Sequence, residues 1–299
     1  MNVLILAYFL ETYGTRKLAS HLRARGHRTI LASPLDCTLA IRPEGGSLTH
    51  QGEPLPPIDV VFPRSLAHYE NGIPAPRVLE SSLATFLRGR GALCFNAPEA
   101  KAVASNKLAA AIRLASAGIP APVTIAAWSP EAFEEALAEI GTPLILKVLS
   151  GTRGAGVLRC DTAAGARSAF DTLRLQGQPF LIQQYIGDEG ARHVRVLVVG
   201  GRVLGGHRSI PRPGDFRANL AQGASVEPHV LSAECERVAL AASACIGLDI
   251  AGVDILESSQ GPQVIEVNSV PGLEVIDQIC GIDSAAAIAD LLEERARAS

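Results

Sequence analysis

Residues 252–273 read GVDILESSQGPQVIEVNSVPGL. Two apolar runs flank the polar turn SSQG at 258–261, which is the pattern of a β-hairpin. Each run carries an acid, Asp254 and Glu266, and Asn268 follows two residues after the second. Side chains two apart on a strand share a face, so Glu266 and Asn268 project together. With the loop centred on Ser259 and Gln260, Asp254 lies roughly opposite Glu266 across the strand pair. Like charges facing each other across a ladder are destabilising, and a divalent cation between them reverses that penalty. An Asp, a Glu and an Asn offer only oxygen, which suits Mg2+ or Mn2+ better than zinc. Mg2+ held by so few side chains completes its shell with water and phosphate oxygens. The plainer reading is two solvated acids on an exposed face. Against it, Val253, Ile255, Val264, Ile265 and Val267 imply a packed hairpin.

Phosphates need a second wall. The stretch KVLSGTRGAGV, residues 147–157, places Lys147 in an apolar strand and Gly151, Gly154 and Gly156 in the loop that follows. Glycines let backbone N–H groups approach phosphate oxygens closely. An unpaired buried lysine is costly, so Lys147 requires an anionic partner. The loop matches neither the Walker pattern nor G-x-G-x-x-G, and alone it reads equally as a hairpin turn. Lys147 tilts the balance. Lys107 on a helix, with Arg217 and Asn219 in the polar loop 214–228, are donors of the kind a transferring phosphoryl group requires. Each by itself reads as well as a surface residue. The apolar strand 179–186 ends in Gln183 and Gln184, where backbone groups could read adenine.

The rest of the chain organises around these segments. A strand at 2–8, a helix at 15–27 and a strand at 28–34 make a β-α-β start, which suggests a Rossmann-like layer. The strand at 58–64 puts Arg64 at its carboxyl end, where open α/β sheets bind ligands. Three units follow from the pattern: 1–95, 96–186 and 187–299. The second holds the Lys107 helix, ended by Gly118, Pro120 and Pro122, and a helix capped by Ser129 with Pro130 at its first position. The third opens with a hairpin at 193–210 turned at Gly200 and Gly201 and closes with a helix over 283–298.

Composition bounds the function. The chain has 299 residues, 47% hydrophobic and 4% aromatic, with a net charge of −3. That suits an α/β protein and advertises no partnership with nucleic acid or membrane. The opening MNVLILAYFL lacks a basic leader and a cleavage site, so it reads as a buried strand. No run is long enough to span a bilayer. The six cysteines are scattered with no C-x-x-C pair, so reduced thiols in the cytoplasm are expected. No G-x-S-x-G occurs, and no residue set argues for a covalent nucleophile.

The ordered set is more specific than any member. It runs SNKLAAAIRLASAGIPAPVT from Ser105, LILKVLSGTRGAGV from Leu144, LIQQYIG from Leu181, RHVRVLVVGGRV from Arg192, GDFRANLAQGA from Gly214, AGVDIL from Ala251 and VIEVNSVPGL from Val264. This resembles the ATP-grasp superfamily, and most closely the RimK branch typified by the ribosomal protein S6 glutamate ligase. The resemblance covers residue 96 to the C-terminus, and the first unit resembles the preceding α/β domain in outline. It implies a two-lobed ATP-grasp domain behind a Rossmann-like one. It also implies an ATP-dependent carboxylate–amine ligase, which phosphorylates a carboxylate to an acyl phosphate that an amine then attacks. By motif position, Lys107 and Lys147 contact the ATP phosphates, and Ser150, Gly151, Thr152, Arg153, Gly154 and Gly156 close over them. Gln184 and Tyr185 sit at the adenine. Arg217 and Asn219, with Lys147, face the transferring group. Asp254, Glu266 and Asn268 hold two Mg2+ or Mn2+ ions. Arg64 and Arg208 are candidates for a substrate carboxylate.

Two departures stand out: Gln184 where the family often has Glu, and His193, near the ribose, where it often has Asp. Asp188 or Glu189 could substitute for the latter. The implied partners are glutamate or another α-amino acid and a carboxylate acceptor, either a protein C-terminus or a small molecule. Family members are often homo-oligomers. Two alternatives stay open. One is an ATP-grasp ligase of peptides, natural products or carrier proteins using a different amino acid. The other is a non-catalytic nucleotide sensor, which has no need of metal ligands.

Overall fold

The structure is a computed structural model and describes residues 1–65, 76–149, 156–187 and 191–298. Strand β1 (Asn2–Leu6), helix α1 (Tyr13–Ala24) and strand β2 (Arg28–Ala32) form the expected β-α-β unit. Gly26 lies in left-handed backbone at φ 81° just past α1, as a helix stop requires. The next strands, β3 (Cys37–Arg42), β4 (Gly45–His50) and β5 (Glu53–Pro54), make a small antiparallel sheet that the sequence reading passed over. Then come β6 (Val60–Pro63), α2 (Pro76–Arg88) and β7 (Leu93–Cys94). The parallel sheet runs in the order β2-β1-β6-β7.

The stretch around Lys107 forms two helices, α3 (Pro98–Ser105) and α4 (Lys107–Ser116). Asn106 divides them because its side chain accepts from the amides of Leu108 and Ala109, both at 3.1 Å. An N-cap of this kind starts a new helix rather than continuing the old one. A four-stranded antiparallel sheet follows, built from β8 (Thr124–Ile125), β9 (Leu144–Val148), β10 (Val157–Cys160) and β11 (Phe180–Gln184) in the order β10-β9-β11-β8. Helices α5 (Pro130–Ile140) and α6 (Ala163–Leu175) cover one face. Their core stacks the rings of Phe133 and Phe170, with Phe180 edge-on. Ser129 caps α5 by accepting from the Ala132 amide, as its position predicts.

The larger antiparallel sheet contains β12 (Arg192–Val199), β13 (Arg202–Ile210), β14 (Ser225–Pro228), β15 (Ile250–Ser258) and β16 (Gly261–Asn268). Its order is β14-β13-β12-β15-β16. The β12–β13 turn falls at Gly200 and Gly201, both at positive φ, which is the tight hairpin turn read from the pair. The polar loop at 214–228 ends in strand β14, which pairs with β13. Helix α7 (Ala233–Ile246) lies under this sheet, capped by Ser232 and stopped by Gly247. Helices α8 (Glu274–Cys280) and α9 (Ser284–Arg297) end the chain.

Period-two alternation divides the large sheet's work. Val194, Val196 and Val198 point to one face and join α3, α4 and α7 in a common core. Leu197 and Val199 point to the other face. There they share a core with α1, α9 and the strands of the parallel sheet. His193 and Arg195 lie on that same second face but short of this core. Half of one sheet face is therefore packed, and the other half is left to line a cavity.

Candidate active site

The cavity-lining half carries His193 and Arg195 from β12, His207 and Ser209 from β13, Asp254 and Leu256 from β15 and Glu266 from β16. Facing it across a cavity of about 270 Å3 are Lys147 and Ile145 of β9, Gln183 and Gln184 of β11, and Tyr185. Lys107, Arg217 and Asn219 close the remaining side. A larger cavity of about 900 Å3 shares Lys107, Arg195, Asn219 and Glu266 with the first and continues past Asn268, Ser269 and Lys101 to α2.

The hairpin that opened the sequence reading turns at Ser259 and Gln260, with Asp254 opposite Glu266 and Gly252 opposite Asn268. A bulge produces this register. From Ser258 to Ile255 the pairing would carry Asp254 onto Ile265, but the register shifts between Asp254 and Ile255. Ile265 is the extra residue, and its insertion turns Glu266 and Asn268 to the cavity face. The Ile265 carbonyl accepts from Lys147 Nζ at 3.2 Å, so the same bulge pins the lysine.

The acids do have a cation against them. Arg195 Nε donates to Asp254 Oδ1 at 2.6 Å, and Nη2 donates to Oδ2 at 2.5 Å. Asn268 Nδ2 donates to Asp254 Oδ2 at 3.1 Å. The sequence reading missed Arg195. The signal was available: it is a cation in the apolar strand HVRVLVV, the same argument that singled out Lys147.

Lys107 Nζ donates to the Leu149 carbonyl at 3.2 Å. Arg217 is folded onto Asp215, its Nη2 donating to Oδ2 at 2.9 Å. These hydrogen bonds hold the Asp215 carboxyl down at about 2. Phe216 meets the Tyr185 ring edge-on, and Arg159 stacks over that ring 4.3 Å from its centre. Ser150, Gly151, Thr152, Arg153 and Gly154, with Asp188 and Glu189, lie outside the described residues. Gly156 is described and sits at positive φ, 76°, just before β10.

The two arginines expected at a substrate carboxylate stand apart from the rest. Arg208 pairs with Val194 in register, which puts it on the opposite face of the sheet, and it donates to Glu227 Oε1 at 3.0 Å. Arg64 is buried beneath the carboxyl end of β6. Neither lines either of these two cavities. The structure places His207 and Ser209 on the cavity face in the strand where Arg208 was expected.

Burial pushes the imidazoles of His193 and His207 below the ordinary 6.5, while Asp254 pulls both back up and Arg195 adds to the fall at His207. Each depressed base leaves the unfolded chain holding more protons than the folded one just below pH 6.5. Stability should therefore be complete above that pH and fall as the solution is acidified through it. Urea midpoints measured across this range should show a shallower acid slope for His207→Gln than for the wild type.

The oxygen-only set Asp254, Glu266 and Asn268 fits a hard divalent cation, and the lysines and Arg217 around it fit phosphates. Among the described residues no group of three or more His, Cys, Asp or Glu makes another metal centre. The six cysteines are all free thiols. Among the described residues no helix is long and apolar enough to cross a membrane.

Known proteins resemble this chain in sequence and fold. Residues 104–292 match the RimK-like ATP-grasp domain, and residues 1–73 match the RimK PreATP-grasp domain. A probable alpha-L-glutamate ligase of Thioalkalivibrio sulfidiphilus is 35% identical over 99% of this chain and 97% of its own length. Another, from Xanthomonas oryzae pv. oryzae, is 36% identical over 100% of this chain and 99% of its own. A RimK domain ATP-grasp protein from Sphaerobacter thermophilus superposes with a TM-score of 0.71 at 26% identity, covering 98% of this chain and 100% of that one. The ATP-grasp ligase PsnB, solved with a phosphomimetic variant of its minimal precursor, Mg and ADP, shares the fold at a TM-score of 0.75 and 21% identity, over 98% of both chains. With both domain matches in chain order and relatives aligned end to end, this chain belongs to the RimK-like ATP-grasp family.

Proposed function

We propose that the protein is an ATP-dependent carboxylate–amine ligase that joins an α-amino acid, L-glutamate first among them, to a carboxylate acceptor. One observation carries this reading. Asp254 and Glu266 face Lys147, Lys107, Arg217 and Asn219 across one cavity, and that cavity meets a larger one, lined also by Asn268, at Glu266 and Asn219. The glutamate preference is supported by the relatives named alpha-L-glutamate ligase.

In this reading the smaller cavity takes ATP. Lys107, Lys147 and the loop from Ser150 to Gly156 bind its phosphates, Gln184 and Tyr185 bind adenine, and His193 lies toward the ribose. Asp254, Glu266 and Asn268 hold two Mg2+ ions, for which Mn2+ can stand in. Bound Mg–ATP supplies the phosphoryl group that activates the carboxylate. Arg217 and Asn219 then neutralise charge developing on the transferring group, an effect worth most where donors are fixed in advance. Arg217 would have to leave Asp215 to do so. The larger cavity takes the acceptor, and its volume suits a peptide or protein C-terminus better than a small carboxylate. Residues 1–95 form one wall of that cavity, 96–186 the nucleotide lid and 187–299 the metal-bearing lobe. Cytoplasmic location and homo-oligomerisation complete the proposal.

ADP release is the test, measured with Mg2+, a panel of amino acids and peptides ending in a free carboxylate. The expected result is turnover that needs both substrates, with a product heavier by one amino-acid residue. ATP binding without amine-dependent turnover on any pair would favour a nucleotide sensor.

A further inference from the structure

Arg64 follows β6 directly at the carboxyl edge of the parallel sheet and is 8% exposed. Among the described residues no carboxylate lies against it. Nη2 donates one long bond, to the Pro271 carbonyl at 3.3 Å, and Nε donates to nothing. Burial without a compensating anion pulls the guanidinium down to about 10.

Its neighbour is also positive. The guanidinium lies flat on the first turn of α1, so that a Cβ added to Gly14 would fall 2.2 Å from Nη2. No side chain caps that helix. The Thr12 hydroxyl is taken up by Thr15 Oγ1 at 2.8 Å, which leaves the first-turn N–H groups and the positive end of the helix dipole uncompensated. A buried cation beside a helix N-terminus costs stability unless an anion joins them. Helix N-termini and arginine forks are both anion binders, and here they converge.

The place is next to the proposed chemistry. Pro63 and Ser65 flank Arg64 in sequence, and Gly272 follows the carbonyl it binds. All three line the larger cavity that runs to Glu266 and Asn268. We infer that Arg64 and the first turn of α1 form an anion subsite behind the wall that Pro63, Ser65 and Gly272 give that cavity, which takes a substrate carboxylate other than the one being activated. The inference rests on the ligase reading for the word substrate. The carboxylate belongs either to the incoming amino acid or to the acceptor chain.

The full-length chain, Arg64→Gln and Gly14→Ala separate the cases. Gly14→Ala keeps the charge but puts a methyl where the guanidinium lies. Melting temperatures are measured with L-glutamate, glutarate and a peptide ending in a free carboxylate. KM is measured for L-glutamate, the peptide and ATP. At least one carboxylate should stabilise the wild type, and both variants should lose that shift. The KM of the carboxylate substrate concerned should rise by about tenfold to a hundredfold, with the KM for ATP unchanged. A rise for L-glutamate assigns the subsite to the amino acid, and a rise for the peptide assigns it to the acceptor. Without ligand, Arg64→Gln should melt no lower than the wild type, because it removes a buried uncompensated charge. The subsite is overturned if no carboxylate stabilises the wild type or if Arg64→Gln keeps the shift. It is also overturned if Arg64→Gln melts lower with every KM unchanged, since Arg64 would then be a structural strut. Absence of amine-dependent ADP release from the wild type would count against the ligase reading alone, because the melting shifts still decide the subsite.

Discussion

Glu266→Gln is expected to cut ATP turnover by about a hundredfold or more while leaving the melting temperature unchanged. Glu266 stands where the two cavities meet, and among the described residues its carboxylate makes no hydrogen bond to the protein. Its charge is felt by Arg195 but hydrogen-bonded to none of the described residues, and the isosteric amide keeps the packing. Asp254→Asn should also abolish turnover, but not cleanly. Asp254 is gripped at both oxygens by Arg195, whose side chain is one-third exposed. Neutralising it strands that guanidinium, at a cost of about 1–3 kcal/mol. Calorimetry with an ADP-release assay separates the two variants. Glu266→Gln should be inactive and as stable as the wild type, and Asp254→Asn inactive and less stable. Mg2+-dependent activity retained in both would sink the metal assignment.

The largest effect on stability is expected from a residue that lines neither cavity. Asp277→Ala should cost about 3 kcal/mol, read as a lower urea midpoint with an unchanged slope. Asp277 is 5% exposed, yet it accepts three hydrogen bonds. Lys17 Nζ donates at 2.9 Å, the Tyr13 hydroxyl at 3.1 Å and the Ser284 amide at 3.0 Å. Alanine leaves the buried amide without that acceptor and the lysine with Asp283, at 3.2 Å, as its remaining carboxylate. Asp277→Asn keeps the shape and should lose less. An unchanged midpoint for the alanine variant would mean that water replaces the carboxylate.

The β15–β16 hairpin and its facing acids were legible because acids in apolar strands must face something, and period two then fixed which residues travel together. Lys147 was legible by the same reasoning. The bulge at Ile265 was not. One inserted residue leaves no mark in an apolar run, although it decides that Glu266 rather than Ile265 faces Asp254. The loop at 37–54 concealed a sheet because Gly45, Gly46 and Gly52 look like turns, and the strands between them are short and poorly alternating. Arg208 was misplaced by a single position of parity: His207 and Ser209 share the cavity face, and Arg208 cannot. Arg195 was overlooked although its strand displays it. Helix α8 spans only Glu274–Cys280, two turns whose apolar residues Val275, Ile276 and Ile279 are too few to stand out as a helix.

The core shared by α1 and α9 has a consequence for how the chain reaches its fold. Leu18 and Leu22 of the first helix are fully buried against Ile288 and Leu292 of the last, and Arg25 and Asp290 meet across 265 positions of sequence. Contacts this distant are slow to close, and in synthesis one partner leaves the ribosome long before the other exists. The emerging first layer is therefore a half-roofed structure that holds an apolar stripe open to solvent until the final helix arrives to cover it.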